Sequence, residues 1–224
     1  MFRIPNFGIL LVTILMALSA CAQFAGEEEA VPFDDYTTNP RASIYLRGLS
    51  YSVDGEYDKA IVEFTKIIQS NPQSSQAYLT RGQAHFFNDD YDKAFSDYNR
   101  AIRLNSENAE AYSFRGLAYL NRKEYDSAFE DYGKAIELKP ENPAPYLMRG
   151  AAFADISDYE RSIADFNRAI ELNSELALAY YFRGLAYTES GDYGNAVADF
   201  KKILELDPDH AEAREALEDA EEAR

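Results

Sequence analysis

The chain has 224 residues, 46% of them hydrophobic, and carries 39 acidic side chains against 22 basic ones for a formal charge of −17. So acidic a surface repels phosphate, which excludes nucleic acid and anionic lipid headgroups as partners of the folded surface. A lone cysteine excludes an internal disulfide.

At the start of the chain, Arg3 precedes an uncharged apolar run from Phe7 to Ala17, far short of the roughly 20 residues that a membrane-spanning helix needs. Residues 1–20 read as a signal peptide. The run ends in Leu18-Ser19-Ala20-Cys21, which resembles the bacterial lipoprotein processing box, where cleavage before the cysteine leaves that residue to carry lipid. Ordinary cleavage after Ala22 is the alternative, because Ala20-Cys21-Ala22 also fits the small-x-small rule. The lipoprotein reading consumes Cys21 as a thioether and places the protein in the bacterial cell envelope. Ala22 in place of Asp resembles the default signal for the outer membrane, hence its periplasmic face in a Gram-negative cell. Residues 21–40 are then the lipidated cysteine and an acidic, Pro-containing linker. As flexible coil, the linker spans about 25 Å r.m.s. and stretches to roughly 65 Å.

From residue 41 a different pattern takes over. Arg-Gly recurs every 34 residues, with glycines at 48, 82, 116, 150 and 184, so the repeats run 41–74, 75–108, 109–142, 143–176 and 177–210 without an insertion. With the glycine as position 8, position 4 is Ile44, Tyr78, Tyr112, Tyr146 and Tyr180, and position 11 is Tyr51, His85, Tyr119, Phe153 and Tyr187. Positions 4, 8 and 11 share one face of a first helix, A. After a turn containing Gly55, Asn88 or Gly191, position 17 is always Tyr, position 20 is Ala or Ser, and position 24 is Phe64, Tyr98, Tyr132, Phe166 and Phe200. That spacing predicts a second amphipathic helix, B, with small residues where A comes close. Fourteen of the 17 tyrosines fall on this framework; Tyr36, Tyr45 and Tyr181 do not. Position 16 is acidic at the expected start of helix B and position 26 is basic (Lys66, Arg100, Lys134, Arg168, Lys202) toward its end, which predicts that both helix termini are matched to the dipole. Residues 211–224, rich in helix formers and charge, read as the polar capping helix that an open array end needs.

The bulky aromatic, Gly, aromatic, Ala, Phe and Pro at these spacings resemble the tetratricopeptide repeat family across residues 41–210. The pattern departs from the family at position 7, usually Leu and here Arg, and at position 32, where Pro72, Pro140 and Pro208 alternate with Ser106 and Ser174. The resemblance implies an all-α solenoid of five helix-turn-helix repeats in a right-handed superhelix, capped at its C-terminal end. It also implies a non-enzymatic scaffold that binds other proteins, as a peptide or partner helix, with no cofactor. Tetratricopeptide lipoproteins of bacterial envelopes serve as adaptors for peptidoglycan enzymes, as assembly factors or as pilotins; the adaptor role is the reading adopted, with an enzyme acting on envelope polymers as the alternative class. The membrane is then met through the N-terminal lipid alone.

No Walker loop, nucleophile elbow or metal-ligand spacing is present in the sequence. His85 and His210 lack a second ligand or base at motif spacing and read as core or surface residues. Position 7 (Arg47, Arg81, Arg115, Arg149, Arg183) and position 23 (Glu63, Asp97, Asp131, Asp165, Asp199) predict an ion-pair ladder between helices A and B, with anion binding by the arginines as the alternative. By family resemblance, the inner groove carries over to Tyr45, Leu49, Leu79, Gln83, Phe86, Phe87, Leu117, Leu120, Leu147, Tyr181 and Leu185. The basic and Asn residues with which chaperone-tail binders of the family clamp a C-terminal carboxylate are missing. The expected ligand is a segment with apolar anchors and basic flanks; the alternatives are that these residues pack neighbouring repeats, or that Phe33 and Tyr36 of the chain itself fold into the trough.

Overall fold

The computed structural model describes residues 40–224; the signal peptide, Cys21 and the linker up to residue 39 lie outside the described residues, and Pro40, read as the end of the linker, opens the first helix. The described residues form eleven α-helices and no strand. None of these helices is long and apolar enough to cross a membrane. The chain falls into two compact units that divide between Glu124 and Tyr125, inside the third repeat.

The first unit holds α1 (Pro40–Val53), α2 (Tyr57–Ser70), α3 (Ser75–Phe87), α4 (Tyr91–Leu104) and α5 (Ala109–Asn121). The second holds α6 (Tyr125–Leu138), α7 (Pro143–Asp155), α8 (Tyr159–Leu172), α9 (Ala177–Ser190), α10 (Tyr193–Leu206) and α11 (Ala211–Ala223). Within each unit every helix packs on its chain neighbours.

Two local devices set the hairpins. The A-to-B turn needs one left-handed residue at position 15, supplied by Gly55 (φ 74°) and Gly191 (φ 83°), and by Asp89, Lys123 and Ser157 at φ 59–62°. Asn88, which the sequence places in this turn, lies in it at φ −90° just before Asp89. Between repeats, the side chains of Asn71, Asn105, Asn173 and Asp207 accept from the amide two residues on, closing Asx turns that stop helix B. Ser74, Asn108 and Asn142 then cap the next helix A.

The core is built from position 24 against position 8. A Cβ on Gly48 would lie 2.7 Å from the Phe64 ring, on Gly82 2.6 Å from Tyr98, on Gly150 2.9 Å from Phe166 and on Gly184 2.7 Å from Phe200. Glycine is therefore required where the ring of helix B lies flat against the backbone of helix A. Position 20 (Ala60, Ala94, Ala128, Ser162, Ala196) is wholly buried, as close helix approach demands.

One expectation from the sequence is corrected. Except for Arg103 in α4, the last turns of the B helices carry no basic residue. The position-26 cations sit one turn earlier, where Lys66, Lys134, Arg168 and Lys202 pair with Glu63, Glu137, Glu171 and Glu205 at i±3. A carboxylate one turn away neutralises them at closer range than the carbonyls at the helix end. At the other terminus, the position-16 residues of α2, α4, α8 and α10 stand at the N-cap, and the side chains of Asp158 and Asp192 accept a backbone amide there.

α11 packs Ala213 and Ala220 against α10 and ties Glu221 to Lys201 at 2.7 Å. Its first turn is capped by His210, whose Nδ1 accepts from the Ala213 amide.

Candidate interaction surface

Position 7 and position 23 meet within a repeat, sixteen residues apart. Arg81 donates through Nε and Nη2 to the two oxygens of Asp97, both at 2.7 Å. Arg149 clasps Asp165 in the same bidentate way at 2.8 Å, and Arg183 clasps Asp199 at 2.8 and 2.6 Å. Arg47 makes a single bond of 2.9 Å to Glu63. Burial pulls the Glu63 carboxyl up, but Arg47 and Lys66 together hold it below the ordinary range. For Asp199 the balance is reversed, and burial pushes its carboxyl up despite Arg183. Arg81, Arg149 and Arg183 are thus held by carboxylates and by the faces of Tyr78, Tyr146 and Tyr180 at 5.4–6.0 Å, and Arg115 lies over Tyr112 at 5.5 Å. Arg115 belongs to the first unit and Asp131 to the second.

Sequence reasoning missed the third partner. The remaining Nη1 reaches back to position 25 of the preceding helix B: Arg81 to Thr65 at 3.2 Å, Arg115 to Asn99 at 2.7 Å and Arg183 to Asn167 at 2.5 Å. One guanidinium therefore joins its own hairpin to the previous one. The signal was present in the 34-residue spacing of Thr65, Asn99 and Asn167, broken only by Gly133 and Lys201.

The eleven residues carried over as groove lining divide into two groups. Leu79, Phe86, Leu117 and Leu147 are 0–7% exposed and are core residues: Leu79, Phe86 and Leu117 belong to one apolar cluster, with Phe86 edge-on to Phe87 and Tyr91. They do not line a surface, because the neighbouring helices close over them. Phe87 is half-buried and stacks on Tyr57 of α2 at 5.8 Å, so it lies in the junction between repeats. In the second unit Tyr181 packs against Phe182, Phe200 and His210, and Leu185 borders the α10–α11 cluster.

Tyr45, Leu49, Gln83 and Leu120 of the first unit remain partly open. Two hydrogen bonds run between successive A helices at this level, Gln76 to the Tyr45 hydroxyl at 3.4 Å and Gln83 to Glu110 at 3.1 Å. This strip offers apolar side chains flanked by amide and carboxylate groups, which suits recognition of an extended segment or a helix. Among the described residues no three His, Cys, Asp or Glu side chains gather where they could hold a metal ion.

The model of the ETO1 C-terminal domain family matches residues 50–222. The chain belongs to this family of tetratricopeptide repeat proteins. Among solved structures, this tetratricopeptide chain is 25% identical to MamA over 74% of its own length and 96% of MamA, at a TM-score of 0.63. It is 26% identical to YrrB, described as a TPR protein with an unusual peptide-binding site, over 72% of its own length and 84% of YrrB, at 0.59. The thermophilic TPR protein TTC0263 of Thermus thermophilus shares the fold, with a TM-score of 0.69 at 18% identity over 80% of this chain and 98% of its own. No curated protein matches the chain. The tetratricopeptide framework accounts for positions 8, 20 and 24, while the arginine clasp at position 7 stands where the family pattern has leucine.

Proposed function

We propose that the chain is a non-enzymatic interaction scaffold, anchored to the bacterial envelope by lipid on Cys21, which holds a peptide or partner helix on its helix-A surface as an adaptor for peptidoglycan enzymes. The observation that carries the binding reading is the part-open strip of Tyr45, Leu49, Gln83 and Leu120, beside core residues of the same helices that are closed to solvent. The peptide-binding site described for YrrB, a structural relative, supports it. The acidic balance of the chain favours a ligand with basic flanks. Anchoring rests on the sequence around Cys21 alone.

The test is site-specific photo-crosslinking in intact cells, with the reactive side chain at position 49 or 120 and, as a control, at the exposed position 222. One partner crosslinked from both strip positions, absent at 222 and lost from the membrane fraction in Cys21→Ser, is the expected result. Equal labelling at 222, or none at 49 and 120, overturns the binding reading; a Cys21→Ser protein that is processed normally and still enters the detergent phase overturns the anchor.

A further inference from the structure

Across the internal repeat junctions within the two units, a helix B meets the next repeat at four pairs of positions, not all of them used at every junction. Tyr57 stacks on Phe87, so position 17 meets position 13. Phe95 lies edge-on to Tyr119 at 5.0 Å and Phe129 stacks on Phe153 at 4.3 Å, so position 21 meets position 11. Thr65, Asn99 and Asn167 accept from the arginine of the following repeat, so position 25 meets position 7. Position 18 meets position 14, where Asp58 accepts from Asn88 and Asp92 from Arg122.

On the first repeat the same face carries Val53, Tyr51, Arg47 and Asp54 in these four places, and among the described residues no helix covers it. Val53 is 71% exposed, and Val62, which shares a hollow with Tyr51, 52%. The Arg47 side chain is 46% exposed where Arg81, Arg149 and Arg183 are 17–25%. A shallow hollow lies between Tyr51, Val62 and Glu63. Among the described residues the face thus keeps the features of a junction without its occupant.

We propose that this face docks an amphipathic helix of a partner protein, with an aromatic residue followed at +1 by Lys or Arg, at +4 by a large apolar side chain and at +8 by Asn or Thr. The aromatic covers Val53, the apolar residue Tyr51, and the amide or hydroxyl takes the free edge of Arg47. Charge sets the +1 position: the acceptor Asp54 stands where the inner junctions place the donors Asn88 and Arg122, so the incoming residue must be basic. The same charge argues against a second copy. Four of the five B helices, α2, α4, α6 and α8, carry Asp58, Asp92, Asp126 and Glu160 at +1, and each would place an acid against Asp54; α10 carries Gly194 there, and its Val197 and Lys201 are already engaged by α11. This surface is separate from the helix-A strip and does not rest on it.

Two labelled peptides spanning residues 88–106, one with the native sequence and one with Asp92→Lys, are titrated into the full-length chain by fluorescence anisotropy. The Lys peptide is expected to bind at least tenfold more tightly than the native one. Val53→Asp with Val62→Asp, both at exposed sites, is expected to abolish binding with helicity unchanged, and Asp54→Lys to reverse the preference between the peptides. Equal affinity for the two peptides, no binding of either, or binding that survives the Val53/Val62 double variant overturns the proposal. So does a dimer in sedimentation that Val53→Asp dissolves, which would assign the face to a second copy. Binding seen only after residues 22–39 are removed also overturns it, because the chain would then be covering its own face.

Discussion

Arg183 of α9 holds both oxygens of Asp199 in α10 and, with its remaining nitrogen, Asn167 in α8. Three helices of two repeats converge on one guanidinium. Its planar fork makes this possible, since a lysine has no second edge to offer once a carboxylate is bound. In this chain the arginine adds polar stitching to the apolar packing of the repeats.

The clasp predicts a graded response to loss of the carboxylate. Asp97→Ala leaves Arg81, with its side chain 20% exposed, against apolar neighbours without its counter-charge, at a cost of about 3 kcal/mol. Glu63→Ala leaves Arg47, whose side chain is already 46% exposed, and its loss is expected to be clearly smaller. Urea unfolding of the two variants checks the order; equal losses would show that the clasp contributes nothing beyond surface charge.

Gly133 interrupts the row of acceptors behind the arginines, and a Cβ placed there meets nothing within 4 Å. Gly133→Ala should stabilise by up to about 1 kcal/mol through helix propensity alone. Asn is a poorer helix former than Ala, so by propensity it falls short of that gain. Gly133→Asn supplies Arg149 with the partner that Asn99 and Asn167 give elsewhere, a hydrogen bond to a charged donor worth about 1 kcal/mol or more. Thermal unfolding should therefore place Asn level with Ala or above it.

Gly82 responds in the opposite direction. Its missing Cβ would lie 2.6 Å from the ring of Tyr98, which is fully buried and cannot swing away. Overpacking costs roughly 1–3 kcal/mol, above the roughly 1 kcal/mol that alanine gains in a helix. Gly82→Ala is expected to lower the melting temperature, and Tyr98→Leu in the same chain to restore part of it.

His85 takes a place held by Tyr51, Tyr119, Phe153 and Tyr187 in the other repeats, and it is buried. Burial pushes its imidazole below its ordinary value; Arg81 and Lys93 act in the same direction, and Asp97 and Asp90 oppose them. The folded state thus prefers the neutral ring. Its contribution is fully present above the unfolded-state value of about 6.5 and is lost as pH falls through the depressed folded value. Between neutral pH and mild acid, His85→Phe should lose less stability than the parent chain. Identical pH profiles in chemical unfolding would contradict this.

The 34-residue recurrence of Gly, Tyr and Phe determined by itself that the chain is a row of helical hairpins, because period 3.6 within each segment and fixed positions for small residues leave no other way to bury the rings. The arginine–carboxylate spacing was legible for the same reason, since sixteen residues separate facing positions of one hairpin. Tertiary structure decided which side chains stay open. Position 9 is leucine at 49, 117 and 185, yet Leu117 is closed to solvent while the other two are half-exposed; position 5 buries Leu79 and Leu147 and leaves Tyr45 partly open. Periodicity fixes the face of its own helix that a residue occupies, but exposure depends on the neighbouring helices that cover that face. The same holds for Arg47 and Arg81, identical in register and different in exposure, because Arg81 has a preceding helix B against it and Arg47, among the described residues, does not.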